Sequence, residues 1–139
     1  MVIRLTLLLL VLASSGGCLA SSEEVESAEV LAAAAGLAQT IHGYDVILDH
    51  TDPTSGPSRP LTPAERSAIE TEVSGVEWLP GPWDGLGLDQ RAVLGLGEPT
   101  VDGEGRLVTI SLWCGDGCGE HYTLRLIEGD DGWGLLADS

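Results

Sequence analysis

The stretch RLVTISLWCGDGCGEHYTLRLIE, residues 106–128, constrains the fold more than any other part of the chain. Apolar and polar residues alternate on both sides of a Gly- and Asp-rich centre, the period-2 signature of two half-buried strands joined by a tight turn. With Gly115-Asp116-Gly117 as a three-residue loop, Gly117 supplies the left-handed residue that such loops need at their last position. The register follows by symmetry about Asp116. Ile110 then faces Tyr122 and Val108 faces Leu124, while Thr109 faces Thr123 and Ser111 faces His121. Even-numbered residues (Val108, Ile110, Cys114, Cys118, Tyr122 and Leu124) share one face, and Thr109, Ser111, His121, Thr123 and Arg125 share the other. One apolar and one polar face predicts an antiparallel pair covered on a single side. Leu112 opposite Glu120 is the poorest match.

Cysteines and a histidine this close together suggest a metal site, a redox site or a staple. In this register Cys114 and Cys118 leave the same face as opposed neighbours, within disulfide reach, and His121 points the other way. A Cys-Cys-His metal site would also lack a fourth ligand. Thioredoxin-type chemistry needs two intervening residues at a helix start, and neither feature is present. The reading is a structural disulfide between Cys114 and Cys118, with free thiols and metal or redox use as alternatives. In the chain-entropy picture so short a loop contributes roughly 2 kcal/mol. No metal or cofactor is predicted.

Elsewhere, residues 24–41 favour helix: they are Ala-rich, with Val25, Val30, Leu31, Ala34, Leu37 and Ile41 at near-helical spacing. Residues 21–29 are polar and acidic, fit for a tether or a first helical turn. Residues 44–49 read as a strand and 50–60, HTDPTSGPSRP, as a surface loop. In LTPAERSAIETEVSG, Thr62 as N-cap, Pro63 at the first helical position and Glu65 three after the cap make a capping box. Ile69, Val73 and Val76 fall on one side of that helix or just past it, Gly75 ends it, and Leu61 is placed as a hydrophobic staple. Residues 76–79, 91–98, 106–114, 119–128 and 133–138 read as strands with Asp- and Gly-rich turns between them, VDGEG included. The fold class is therefore α+β: two helices packed on an antiparallel meander sheet. A cone of helix and curved sheet resembling nuclear transport factor two is one architecture for such an order.

The amino terminus, MVIRLTLLLLVLASSGGCLASS, has Arg4, then an apolar run from Leu5 to Ala13, then small residues, which is the layout of an export signal. The run is far shorter than the ~18–20 residues a membrane-spanning helix needs. Cys18, directly after Gly16-Gly17, resembles the lipobox of bacterial lipoproteins, in which the cysteine becomes the first mature residue and carries the lipid. The family prefers Leu three residues earlier, where this chain has Ser15. Plain secretion with cleavage after Ala20 is the rival. The cysteine count agrees with lipidation: setting Cys18 aside leaves an even pair in an oxidising compartment. The expected organisation is a signal peptide over 1–17, a lipidated terminus and tether over 18–29, and one α+β domain over 30–139. The expected location is the cell envelope, on the outer face of the cytoplasmic membrane or on the outer membrane, or otherwise the medium.

The formal net charge is −16. Arg59, Arg66, Arg91, Arg106 and Arg125 are dispersed and form no basic stripe, which excludes nucleic-acid binding. The chain has no Lys, Asn or Phe, residues whose codons are A/T-rich, so a GC-rich genome accounts for the missing lysine as readily as function does.

Trp113, Cys114, Gly115, Cys118, Gly119, Tyr122, Leu124, Gly132 and Trp133 together resemble a motif of small exported proteins from GC-rich actinobacteria. The resemblance implies export and a small α+β fold, with no reaction attached. Other candidates have plain readings. Asp45, Asp49, His50 and Asp52 could form a cation or acid/base group, or a solvated loop. Trp78 and Trp83 could line a groove, or cover the sheet edge. Ser111, His121 and Asp116 make no triad, since Asp116 lies in the turn. The functional expectation is an exported envelope lipoprotein, acting on an envelope protein or small ligand by binding or structure. Its alternative is a small pocket enzyme of the cone-shaped type, using His42 or His50 with a nearby Asp.

Overall fold

The computed structural model describes residues 21–44, 46–53, 56–81, 92–113 and 119–136. Helix α1 runs Ser22–Ile41, with the Ser21 hydroxyl accepting from the Glu24 amide at 3.2 Å. Glu23 and Glu24 in its first turn suit the positive end of the helix dipole. Its Ala-rich face brings it close to its neighbours: Ala28, Val30, Leu31, Ala32, Ala34, Ala35 and Ala38 are buried. Val25 and Ile41, expected on that face, are exposed, because they sit in the first and last turns at the ends of the packed region.

Residues 21–29 were open to a tether or a first helical turn, and the helical reading is the one the structure takes. From Ser22 onward those residues are helix, and by the second turn Ala28 is buried and the Ser27 hydroxyl donates to Glu65 at 2.8 Å. Packing against the body of the domain outweighs the polarity of SSEEVESAE.

Helix α2, Pro63–Glu72, starts with the expected capping box: the Glu65 amide donates to Thr62 Oγ1 at 3.1 Å and the Thr62 amide to Glu65 Oε1 at 2.8 Å. Ile69 and Val73 are buried on its inner side, and Val76 packs against the same core. Leu61 enters the core itself. The staple position four into the helix is Arg66, whose guanidinium lies over the Trp78 ring.

The strands are β1 (Val46–Thr51), β2 (Trp78–Leu79), β3 (Val93–Leu96), β4 (Thr100–Asp102), β5 (Gly105–Trp113), β6 (Gly119–Gly129) and β7 (Gly132–Leu135). They form one sheet in the order β2-β1-β3-β5-β6-β7, with β4 also on β5. With the two helices this is an α+β fold. The β5–β6 register is the one derived from the sequence, with Val108 opposite Leu124, Ile110 opposite Tyr122 and Ser111 opposite His121. Leu112 does oppose Glu120. The carboxylate leaves the sheet to meet His42 at 2.8 Å, which explains the poor match.

Two features depart from a pure meander. Strand β1 pairs in parallel with both β2 and β3. The chain leaves β1, passes through α2 and returns, and a crossover of this kind delivers parallel neighbours. The VDGEG segment is also more than a turn: β4 folds back on β5, pairing Asp102 with Gly105, and Gly103 takes the left-handed conformation at φ 61°.

The helices and one sheet face share a core of Leu31, Ile47, Ile69, Leu94, Leu96, Val108, Ile110 and Leu126 among others. On the β5–β6 hairpin the second face was expected to be polar. On β5 and β6 it is, with Thr109, Thr123 and Arg125, but on β1 and β3 it carries Val46, Leu48 and Val93, all buried. Those strands are covered on both sides.

Candidate functional site

The titratable side chains gather at three places. At the end of β1, His50 Nδ1 lies 2.6 Å from Asp49 Oδ1, and both are half-buried. The same Asp49 carboxylate accepts from the Gly81 amide at 3.0 Å, and its carbonyl accepts from the Leu61 amide at 2.9 Å. Asp49 therefore ties two connecting segments to the strand. Asp52 is 3% exposed, and its amide donates to the Leu96 carbonyl at 2.8 Å. Its side chain lies over Gly95, where an added Cβ would come within 3.4 Å of it. Of the expected group, Asp45 lies outside the described residues. A solvated loop is the wrong description for Asp52, which strand pairing with β3 draws inside. His50 takes Asp49 as its carboxylate partner. The sequence signal for the Asp52 site was the glycine inside the apolar run VLGL, since glycine within a strand marks close approach by another group.

The second place was not foreseen. Glu65, expected only as a capping residue, is 1% exposed and accepts four hydrogen bonds. Arg59 donates through Nη1 at 2.7 Å and Nη2 at 2.8 Å, a two-pronged pair, and the Thr62 amide and Ser27 hydroxyl supply the others. Arg59 also donates to Glu98, from Nε at 2.6 Å and Nη2 at 3.0 Å. Burial by itself would raise the Glu65 pKa. The Arg59 guanidinium, the Thr62 amide and the Ser27 hydroxyl together hold the carboxyl below its usual range. This cluster ties α1, the loop before α2, α2 itself and the segment after β3 to one another.

At the third place, His42 caps α1, reaches Glu120 and meets the Tyr122 ring in a tilted contact at 5.5 Å between centroids. Burial, with Glu120 adding to it, raises the Tyr122 phenol. Burial likewise raises Tyr44, whose hydroxyl donates to the Ala35 carbonyl at 3.0 Å.

Ser111 and His121 do meet across β5 and β6, with Oγ 2.9 Å from Nδ1. Ser111 is buried and His121 exposed. Trp78 packs against the core from edge strand β2, and its indole Nε1 donates to Glu70 at 2.7 Å, so it covers the sheet edge. Cys18, Cys114, Cys118, Asp116 and Trp83 lie outside the described residues. Among the described residues no three His, Cys, Asp or Glu side chains are placed to hold a metal ion. No described helix is long and apolar enough to cross a membrane.

The described arginines serve the fold: Arg59 as above, Arg106 on Glu26 at 2.7 Å, Arg125 on Asp102 at 2.6 Å and Arg66 over Trp78. The acidic excess is thus left to the surface. A groove of about 780 Å³ between α1 and the β6–β7 turn carries Glu29, Glu72, Glu128, Asp130 and Asp131, a field that disfavours anionic ligands there. No family model matches the sequence, and no similar chain is found among curated proteins or solved structures.

Proposed function

We propose that this chain is an exported bacterial lipoprotein, anchored by acyl chains on Cys18, that acts in the cell envelope by binding or as a structural element. The observation that carries the reading is SSGGC after the apolar amino-terminal run, with the folded domain beginning three residues beyond the cysteine, at the Ser21 cap. The use of the clustered charges supports a binding or structural role. Arg59 and Glu65 tie four segments together, Asp49 holds two backbone segments, and His42 fastens α1 to β6. Membership of the small exported actinobacterial group that the WCG…CG…Tyr-x-Leu…Gly-Trp motif resembles is part of the same proposal.

A disulfide between Cys114 and Cys118 belongs to it as well. The described ladder closes at Trp113 opposite Gly119, and the next residues inward are 114 and 118. The second reading, a small pocket enzyme in a cone-shaped fold, draws support from the half-buried His50–Asp49 contact.

Fractionation of the producing cells tests the proposal. The natural chain should sediment with membranes and the Cys18→Ala chain should not. Equal recovery of both in the soluble fraction would refute anchoring. An Asp49→Asn substitution that abolishes a measured turnover, with the fold intact, would favour the enzyme.

A further inference from the structure

The domain starts close to the anchor. Ser21 caps α1, and in the next turns Glu26 pairs with Arg106 and Ser27 with Glu65, so the chain is committed to the folded body by its second turn. From Cys18 to Ser21 there are three residue steps, which span at most about 11 Å even fully extended. Helix α1 has 20 residues and is about 30 Å long. Its far end is held by the His42–Glu120 contact, next to the Trp113–Gly119 end of the β5–β6 pair. Where the far end of α1 carries one exposed apolar side chain, Ile41 at 50%, the near end carries two, Val25 at 45% and Val101 at 73%. Both flank the first two turns of α1. Val25 lines a groove with Glu23 and Glu26, and Val101 lines a second with the same two residues.

We infer that the α1 amino-terminal end and the neighbouring β4–β5 turn form the membrane-facing end of the domain, resting on the lipid bilayer, while the His42 end projects into the aqueous space. The inference rests on the anchoring reading above. Acyl chains within about 11 Å of the helix cap hold this end of α1 next to the bilayer, while the opposite end, about 30 Å along the helix, has no such tether. Glu23, Glu24, Glu26 and Glu98 at this end set the stand-off. Anionic lipid widens it and salt narrows it, because like charges repel across a short, screened distance. The His42 end and the β5–β6 hairpin are then the parts presented to other envelope molecules.

Energy transfer tests the orientation on the lipidated full chain in phosphatidylcholine vesicles with acceptor-labelled headgroups. Donor dye is placed at Val101→Cys or at Thr40→Cys, both exposed positions, and the parent chain treated identically sets the background from native cysteines. Transfer from position 101 should exceed that from position 40 roughly twofold, given the ~30 Å length of α1. A flexible linker of about ten Gly and Ser residues inserted after Ala20 should erase the difference. Equal or reversed transfer in the bound, linker-free chain overturns the orientation. A difference that survives the linker overturns it as a consequence of the short tether. A chain that fails to join the vesicles overturns the anchoring reading and the orientation with it, and is told apart from the other failures by the absence of any bound protein.

Discussion

Replacing Glu65 by glutamine removes a charge and leaves most of the shape in place. In the native domain the carboxylate is buried and accepts from Arg59 twice, from the Thr62 amide and from the Ser27 hydroxyl. The glutamine keeps one oxygen for the cap, but its amide group presents hydrogens to the Arg59 and Ser27 donors. Breaking a buried pair by removing one partner costs about 3–5 kcal/mol. Arg59 is about one-third exposed and keeps Glu98, so solvent and the second carboxylate reduce this to roughly 2–3 kcal/mol. That is a large part of the roughly 5–15 kcal/mol by which domains of this size are stable.

The pH dependence has a definite sign. The folded-state pKa of Glu65 lies below its ordinary value of 4.5, so the unfolded chain binds the proton more readily. The stabilisation is fully present above 4.5 and is lost as pH falls through the folded-state value. Urea unfolding of both chains across that range should show the Glu65→Gln penalty largest near neutral pH and shrinking with acidification. A penalty within about 0.5 kcal/mol of zero at neutral pH, the scatter of ordinary surface substitutions, would refute the argument. So would a penalty that grows as pH falls.

Further substitutions probe other contacts. Thr62→Ala removes the acceptor for the Glu65 amide and should cost about 1 kcal/mol in urea unfolding at unchanged slope. Ile110→Ala empties a fully buried position between sheet and helices and should cost roughly 2–5 kcal/mol by the same measurement. Gly105→Ala would set a Cβ 2.9 Å from the Leu126 carbonyl oxygen, a backbone atom that cannot swing away, and should destabilise by roughly 1–3 kcal/mol. The natural chain, compared by intact mass with and without reductant, should gain two hydrogens if Cys114 and Cys118 are joined.

What was legible in the sequence was local. The β5–β6 register followed from alternation about Asp116, and every described pair obeys it, because slipping by one residue would turn Ile110 and Leu124 out of the core. The α2 start followed from Thr62, Pro63 and Glu65 for a similar reason: a capping box is completed within four residues. The parallel pairing of β1 was not legible, since strand neighbours depend on where α2 returns the chain. The burial of Glu65 was hidden too. A capping box asks for the same carboxylate whether it faces water or, as here, the side of α1. Arg59 lay in a loop of turn-forming residues with nothing to distinguish it from a solvated arginine. Residues 21–29 fitted a tether or a first helical turn by composition, and the choice was hidden because it rests on Ser27 and Glu26 finding partners 38 and 80 residues away.

The most direct test of the account is the mass of the mature amino terminus, isolated from the producing cells. Anchoring predicts a chain that begins at Cys18 and carries acyl chains. A mature chain that begins at an unmodified Ser21 would contradict it, and the proposed orientation on the membrane would fall with it.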